Sequence, residues 1–561
     1  MGTTMAEGER PPQDAAIDRR SFVTRMGVIT AAAMAGVPLE GRALPPVELL
    51  PASGGAGASS SSSSHADPGR AELDGAFPTH PADLKIWQAR RLFARGELGA
   101  MELLEACLER LDARDPVYRA FNAVPRGQAM EVARALDEET RSLGPGRGLL
   151  AGIPLVVKDN LWTAGVLTTA NSRIFQGFVP AEDATAWARL RVGGAILLGK
   201  TQMGPLATTR AMTPDGEVTT VNAWAPDDPR VSPGGSSSGT ATAVAGGVAP
   251  AGLGTQTGGS VTVPSLAQGL TGIKPTLGRV SLRGVIPLTY SRDHVGPMAR
   301  DARDAALLLQ VMAGADPADP RTAGLPPVPD YRTAVEPVEG GRGPIPRWST
   351  RLGVPEGWVE VDGDRGRLRR DFLNEMEAAG VRLVDVHPSE EWRELGSGMF
   401  NAVRLPERTE PFLEHLRDDV RLFGVSLGSW IQGLFLSGDE YLKGQRARLG
   451  LLRLTLEEIF RDCDVVLQPS HLPFDMIGLP LLAMPIGMRE VGGRERPDGV
   501  LLGGPPLGEE RLLALAGAWQ ARTEHHLARP EAPDAELVET ARRGGAEKLR
   551  HDVTWVTEHA Q

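Results

Sequence analysis

The sequence predicts an α/β fold in which helices cover both faces of one β-sheet. Residues 153–157, 195–198 and 248–253 are short apolar runs bounded by glycine or proline, a pattern typical of buried strands. Helical patterns separate these runs along the chain. Buried strands that alternate with helices indicate a sheet covered on both faces.

The remaining elements are predicted from the spacing of apolar residues. Helices are predicted at residues 89–111, 128–143, 302–312 and 366–379, and most of 389–452 is expected to be helical. Further strands are predicted at 351–354, 381–386 and 465–468, and the proline- and glycine-rich stretch 326–346 is expected to be a surface loop. We expect one sheet in a single catalytic domain at residues 81–530, followed by a helical tail at 531–561.

Length and composition set broad limits on function. The 561 residues are 41% hydrophobic and 23% charged, which is typical of a soluble globular protein with a large core. A formal net charge of −11 argues against a nucleic-acid partner. The two cysteines, Cys107 and Cys463, lie in apolar surroundings and are expected to be buried free thiols, and no ligand spacing for a metal is present.

The first 80 residues do not fit the pattern of the folded domain. Arg19 and Arg20 precede an apolar run at 26–39, which indicates a twin-arginine export signal at residues 1–43 and a periplasmic or extracellular protein. This run is too short for stable membrane insertion. Residues 44–80 contain an unbroken serine run at 59–64 and are expected to form a disordered linker.

The densest run of small polar residues lies at 232–276. It contains two glycine-serine turns, Gly234-Gly235-Ser236 and Gly258-Gly259-Ser260. Glycine lets backbone N–H groups approach a ligand, so each turn can present a hydroxyl beside amide donors. A hydroxyl nucleophile beside donors that hold an oxyanion is the arrangement that acyl transfer needs.

Lysine is rare in this chain, with six among 60 basic residues. A buried lysine can have its pKa lowered toward neutrality and act as a base, whereas an arginine cannot. Lys158, Lys200 and Lys274 each follow an apolar run. Residue chemistry alone therefore leaves three candidates for a base.

A Ser-His-Asp hydrolase is the rival catalytic scheme. His294, in Arg292-Asp293-His294, is the best placed of the ten histidines. However, no Gly-x-Ser-x-Gly elbow follows a strand and precedes a helix with a suitable later histidine. We therefore expect His294 to lie in a structural loop.

The glycine- and serine-rich block resembles that of the amidase signature family, and two other segments extend the resemblance. Residues 152–160 are similar to the family's apolar strand that ends in a catalytic lysine, and residues 478–480 and 484–487 resemble a late family segment. The resemblance implies a large mixed sheet, no metal and no cofactor. It selects Lys158 as the base and Ser260 as the nucleophile, with Ser236 as the proton bridge after a cis Gly235-Ser236 bond. It also implies an oxyanion hole at Thr257, Gly258 and Gly259, and it makes Gly235, Ser237 and Ser238 supporting residues around Ser236.

The chain departs from the family pattern around the nucleophile. The common form has aspartate where this chain has Gln256 and arginine where it has Thr262, and the alternative arginine position is Val263. Because both charges are lost together, we interpret them as a compensated pair. The missing cation also favours substrates with a neutral acyl group.

The resemblance implies a small amide, ester or carbamate substrate, and together with the export signal it predicts a secreted amidohydrolase. Two alternatives stay open. One is a non-catalytic binding protein that retains the fold, and the other is the ammonia-supplying subunit of a tRNA amidotransferase. The sequence leaves a homodimer open.

Overall fold

The computed structural model describes residues 77–144, 148–398 and 400–544. The predicted signal peptide at 1–43 and most of the predicted linker lie outside the described residues. Near the predicted linker boundary at 80, Phe77 packs against Trp87 with ring centroids 6.4 Å apart. At the other end, residues 535–544 form a helix.

Eleven strands form one mixed sheet, which confirms the predicted fold class and the single sheet. The strands of the described chain are β1 Phe121–Ala123, β2 Pro154–Lys158, β3 Ile196–Thr201, β4 Ala251–Gln256, β5 Thr271–Lys274, β6 His294–Ala299, β7 Val338–Gly340, β8 Gly343–Ile345, β9 Arg351–Pro355, β10 Arg382–Val386, β11 Val465–Leu467, β12 Leu481–Glu490 and β13 Glu495–Gly503. In spatial order the sheet runs β1-β3-β2-β4-β6-β5-β12-β13-β11-β9-β10, and β7 and β8 form a separate hairpin.

Helices connect the strands and are packed with them into large apolar clusters. The α-helices are α1 Ile86–Arg95, α2 Ala100–Tyr118, α3 Arg126–Leu143, α4 Thr185–Val192, α5 Ser238–Ala245, α6 Thr262–Gln268, α7 Ala302–Met312, α8 Tyr331–Ala334, α9 Gly363–Ala378, α10 Glu390–Gly398, α11 Phe400–Thr409, α12 Leu413–Asp418, α13 Leu427–Gln432, α14 Gly438–Leu454, α15 Leu472–Ile477 and α16 Glu509–Arg522. No described helix combines the length and the apolar character that a membrane crossing needs. Cys107 and Cys463 are buried thiols, as predicted.

Two predicted elements are wrong in detail. The predicted helix 89–111 is two helices, because Gly96 ends α1 in the left-handed conformation with φ 69° and α2 begins after Gly99. The predicted loop 326–346 contains α8 and the β7–β8 hairpin. Strands β5, β6, β12 and β13 are not among the predicted elements.

The strand order places the ends of β2 and β4 side by side. These two strands are parallel neighbours, with Val157 opposite Leu253. Lys158 is the last residue of β2, and Gln256 is the last residue of β4. The carboxyl ends of neighbouring parallel strands open at one edge of the sheet, which is where α/β proteins commonly bind ligands.

Candidate active site

Lys158 is fully buried and its amine contacts Ser236. The distance from Lys158 Nζ to Ser236 Oγ is 2.8 Å, and Nζ also lies 3.1 Å from the Thr255 carbonyl oxygen and 2.9 Å from Thr255 Oγ1. Burial lowers the pKa of Lys158 to about 7, and the negative charge of Asp293 opposes this shift. The amine therefore changes protonation state near neutral pH.

The three lysines that are candidates for the base have different contacts in the structure. All three are fully buried. Lys200 donates to the Leu161 carbonyl at 2.8 Å and lies 3.2 Å from Asp159 Oδ1, whereas Lys274 donates to the Phe474 carbonyl at 3.2 Å. Of the three, Lys158 is the one whose amine contacts a serine of the glycine- and serine-rich block.

The first glycine-serine turn is held by its own hydroxyl groups. The Gly235-Ser236 peptide bond is cis. Ser237 Oγ donates to the Thr255 carbonyl at 3.3 Å, and Ser238 Oγ donates to the Gly234 carbonyl at 2.7 Å. A side chain at Gly235 would meet the Thr209 carbonyl at 2.6 Å, so the residue before Ser236 has to be glycine.

The second turn joins β4 to α6 and carries Ser260 at its end. Within the described part of the chain, no hydrogen bond uses the N–H groups of Gly258 and Ser260. The N–H of Gly259, by contrast, donates to Asp475 Oδ2 at 2.8 Å. The Gly259 N–H is therefore bound to a side chain in this structure, and the contribution of Gly259 to an oxyanion hole stays a prediction.

Thr257 is held by Arg292 and Asp293, the two residues that precede β6. Its hydroxyl donates to Asp293 Oδ1, and its carbonyl accepts from Arg292 Nη2 at 2.9 Å. Arg292 is almost fully buried. A cation therefore contacts the turn three residues before Ser260, although the sequence around the nucleophile contains none.

The departures from the family pattern form one connected network. Gln256 Oε1 accepts from the backbone N–H groups of Val261 and Thr262, each at 2.9 Å, and from Thr262 Oγ1 at 3.2 Å. Gln256 Nε2 donates to Asp475 Oδ1 at 2.7 Å. Gln256 thus links the N–H groups of Val261 and Thr262 to the carboxylate of Asp475 on α15. No motif near the nucleophile indicated this residue.

His294 does not fit a Ser-His-Asp catalytic scheme. It is the first residue of β6 rather than part of a loop, and its Nδ1 lies 2.7 Å from the Arg292 carbonyl. Burial, with the nearby Lys274 charge, holds its pKa well below the usual histidine value. His471 contacts a buried carboxylate, because its Nδ1 lies 2.8 Å from Asp475 Oδ2, and sequence reasoning missed this histidine.

The sheet is large and mixed, the buried lysine at the end of β2 contacts Ser236, and Ser260 follows the parallel neighbour β4. Together these features define an amidase-type enzyme that acts on C–N bonds. The chain belongs to the amidase family, because the Amidase profile matches residues 102–476. Curated relatives support the assignment. The A subunit of glutamyl-tRNA(Gln) amidotransferase from Chloroflexus aurantiacus is 35% identical over 494 residues, covering 80% of this chain and 98% of that protein.

Solved structures show the same fold. Native peptide amidase from Stenotrophomonas maltophilia superposes with a TM-score of 0.67 at 30% identity, covering 82% of this chain and 99% of that chain. A vestigial protein complex linked to the evolutionary origins of an s-triazine catabolic enzyme contains a chain with a TM-score of 0.70 at 27% identity. That match covers 80% of this chain and all of the other.

Proposed function

We propose that this protein is a serine amidohydrolase that cleaves a small amide through an acyl-enzyme on Ser260. The observation that supports it most is the 2.8 Å contact between the Lys158 amine and Ser236 Oγ. A neutral amine has two N–H groups and one lone pair. Donation to the two oxygens of Thr255 leaves the lone pair for the Ser236 hydroxyl proton, so Lys158 can serve as a base.

In the proposed first step, Ser260 Oγ attacks the carbonyl carbon of the amide. The Ser260 proton moves to Ser236 Oγ while the Ser236 proton moves to Lys158 Nζ, which becomes an ammonium. The C–N bond then breaks, and the proton returns through Ser236 to the leaving nitrogen. Water attacks the Ser260 ester in the same way and releases the acid.

The oxyanion of the tetrahedral intermediate needs donors that the folded protein leaves open. The N–H groups of Gly258 and Ser260 meet this requirement, and we place them in this role together with the predicted donor Thr257. One such donor stabilises a transition state by about 2.7 to 4 kcal/mol. The donors act at the moment of reaction without reorganising.

The second candidate function is that of the A subunit in a tRNA amidotransferase. It is favoured by the curated relatives, which carry that name and match over nearly their whole length, with 35% identity in Chloroflexus aurantiacus and 34% in Roseiflexus castenholzii. The relatives support this candidate better than they support a secreted hydrolase. Both candidates share amide cleavage at Ser260 and differ in the substrate and in the fate of the ammonia.

A substrate panel distinguishes the two. The panel contains L-glutamine, apolar p-nitroanilides, an ester and a carbamate, each in a neutral and a carboxylate-bearing form, because Arg292 contacts the turn. For a hydrolase of neutral amides we expect kcat/KM for a neutral p-nitroanilide to exceed that for L-glutamine by about 100-fold, a difference of about 2.7 kcal/mol. A preference for L-glutamine of the same size would instead favour the amidotransferase candidate. No turnover of any member would favour a non-catalytic binding protein.

Export is a separate proposal that rests on Arg19 and Arg20 ahead of the apolar run at 26–39. Replacing both arginines with lysine preserves the charge, yet we expect it to block translocation because the twin-arginine route recognises the pair itself. The measurement is the N-terminal sequence of protein recovered outside the cytoplasm, which should begin near Leu44. Secreted protein that keeps Arg19 would refute the proposal, and retention in the cytoplasm would favour the amidotransferase candidate.

A further inference from the structure

Asp475 occupies the centre of the network behind the proposed nucleophile. It lies on α15, which precedes β12, and its side chain is fully buried. Oδ1 accepts from Gln256 Nε2 at 2.7 Å, and Oδ2 accepts from the Gly259 N–H at 2.8 Å. Each carboxylate oxygen thus contacts a different part of the segment from β4 to Ser260.

Two cationic or polar groups complete the surroundings of the carboxylate. Lys274 Nζ lies 3.6 Å from Oδ1, and His471 Nδ1 lies 2.8 Å from Oδ2. Burial disfavours the charged carboxylate, but the His471 hydrogen bond and the Lys274 charge together hold the pKa of Asp475 well below its usual range. The group is therefore an anion at neutral pH.

The turn has little freedom to move away from this network. Gly259 has φ 80°, and a side chain there would meet His471 Nε2 at 2.7 Å and Val263 Cγ2 at 2.8 Å. On the other side, Gln256 Oε1 accepts from the N–H groups of Val261 and Thr262. Ser260 therefore lies between two residues whose N–H groups are bound, Gly259 by Asp475 and Val261 by Gln256.

We infer that Asp475 is a positioning residue that orients the nucleophile turn through its contacts with Gln256 and Gly259. By binding the Gly259 N–H it directs the neighbouring N–H groups of Gly258 and Ser260 away from the protein and toward the substrate. This inference rests on the proposed function. Asp475 does not touch the reacting atoms, so its effect is transmitted through the turn.

The test exchanges the amide of Gln256 and the carboxylate of Asp475 by substitutions that keep the shape of each side chain. In Gln256→Glu a second carboxylate faces Asp475, so the 2.7 Å hydrogen bond is lost. In Asp475→Asn one carboxylate oxygen becomes an NH2 group, so the side chain can accept from Gln256 Nε2 or from the Gly259 N–H but not from both. We expect each single variant to lower kcat by about 100-fold, the size of effect that a small misplacement of a catalytic group produces, with a much smaller change in KM.

In the double variant Gln256→Glu/Asp475→Asn the donor and the acceptor are exchanged. The amide nitrogen of the introduced asparagine can donate to the introduced glutamate, and its amide oxygen can accept from Gly259, while the net charge of the network is unchanged. We expect kcat to recover at least tenfold above either single variant. A double variant whose loss equals the product of the two single losses would overturn the inference, as would single variants with wild-type kcat.

A milder variant covers the case in which the single variants fail to fold. His471→Gln alters a side chain that is 25% exposed and keeps a donor near Asp475. We expect a loss of kcat of less than tenfold and an unchanged pH dependence. Loss, in this variant, of the rise in activity that titration of Lys158 gives near pH 7 would make His471 a base and overturn the positioning role assigned to Asp475.

Failure of the inference can be told apart from failure of the proposed function. Fluorophosphonate labelling reports on the Ser260 hydroxyl, and its rate is measured in every variant beside amide turnover. If wild-type protein is labelled at Ser260 and turns over amides while the exchange fails, the positioning role alone is wrong. If Ser260 is not labelled in the wild type, the proposed function is wrong.

Discussion

Replacing Ser260 with alanine is expected to lower amide turnover by about 10⁴- to 10⁶-fold and to abolish covalent labelling by a fluorophosphonate. The reason is that the variant has no hydroxyl to form the acyl-enzyme, and loss of a nucleophile in a serine hydrolase has effects of this size. Turnover and labelling are measured on the same preparation. A residual rate is expected, because substrate binding and the oxyanion donors remain.

The matched control for this variant is Ser265→Ala. Ser265 is a buried serine on α6 whose hydroxyl donates to the Val261 carbonyl, and it lies five residues from Ser260. It should keep turnover within about tenfold of the wild type, since a lost neutral hydrogen bond costs about 1 kcal/mol. Labelling that persists in Ser260→Ala at another serine would contradict the assignment of the nucleophile.

Lys158→Arg is expected to lose turnover by about 10²- to 10⁴-fold, the usual contribution of a general base. The arginine keeps the positive charge but cannot supply a neutral amine at working pH. In the wild type, burial lowers the Lys158 pKa to about 7, so the neutral form is present above that pH. Activity should therefore rise as pH increases through about 7 and fall below it.

Two variants control for the effect of replacing a buried lysine. Lys200→Arg alters an equally buried amine that pairs with Asp159, and if folded it should retain the rising limb near pH 7. Lys158→Met removes the amine without burying a charge, and it should fold yet remain inactive. Lys274→Arg is not a suitable control, because Lys274 lies 3.6 Å from Asp475. Near-wild-type turnover by Lys158→Arg would reopen a histidine scheme, with His471 now a better candidate than His294.

The parts of the site that the sequence predicted are those carried by local patterns. Lys158 ends an apolar run, and Ser236 and Ser260 end glycine turns, so each can be recognised from its neighbours in the chain. Asp475 could not be found in this way. It lies 219 residues from Gln256, and the two meet only because the fold places α15 against the turn after β4.

Strands β12 and β13 were missed for a different reason, which lies in their own sequences. Strands β12 and β13 carry Pro485 and Pro497 and have charged residues where they meet the hairpin turn, which hides the apolar alternation of a buried strand. One signal for this hairpin was present. Gly492 and Gly493, between the two strands, both have positive φ, as hairpin turns require.

Acyl transfer to Ser260 is tested most directly by measuring the intact mass of the enzyme during turnover. A slowly hydrolysed ester from the substrate panel is mixed with the enzyme and quenched in acid, and the modified peptide is then located. We predict a mass increase equal to the acyl group, carried by Ser260, that forms and decays at rates consistent with turnover. An enzyme that hydrolyses the same ester with no acyl mass on any residue, or with the acyl group on a different residue, would contradict the account.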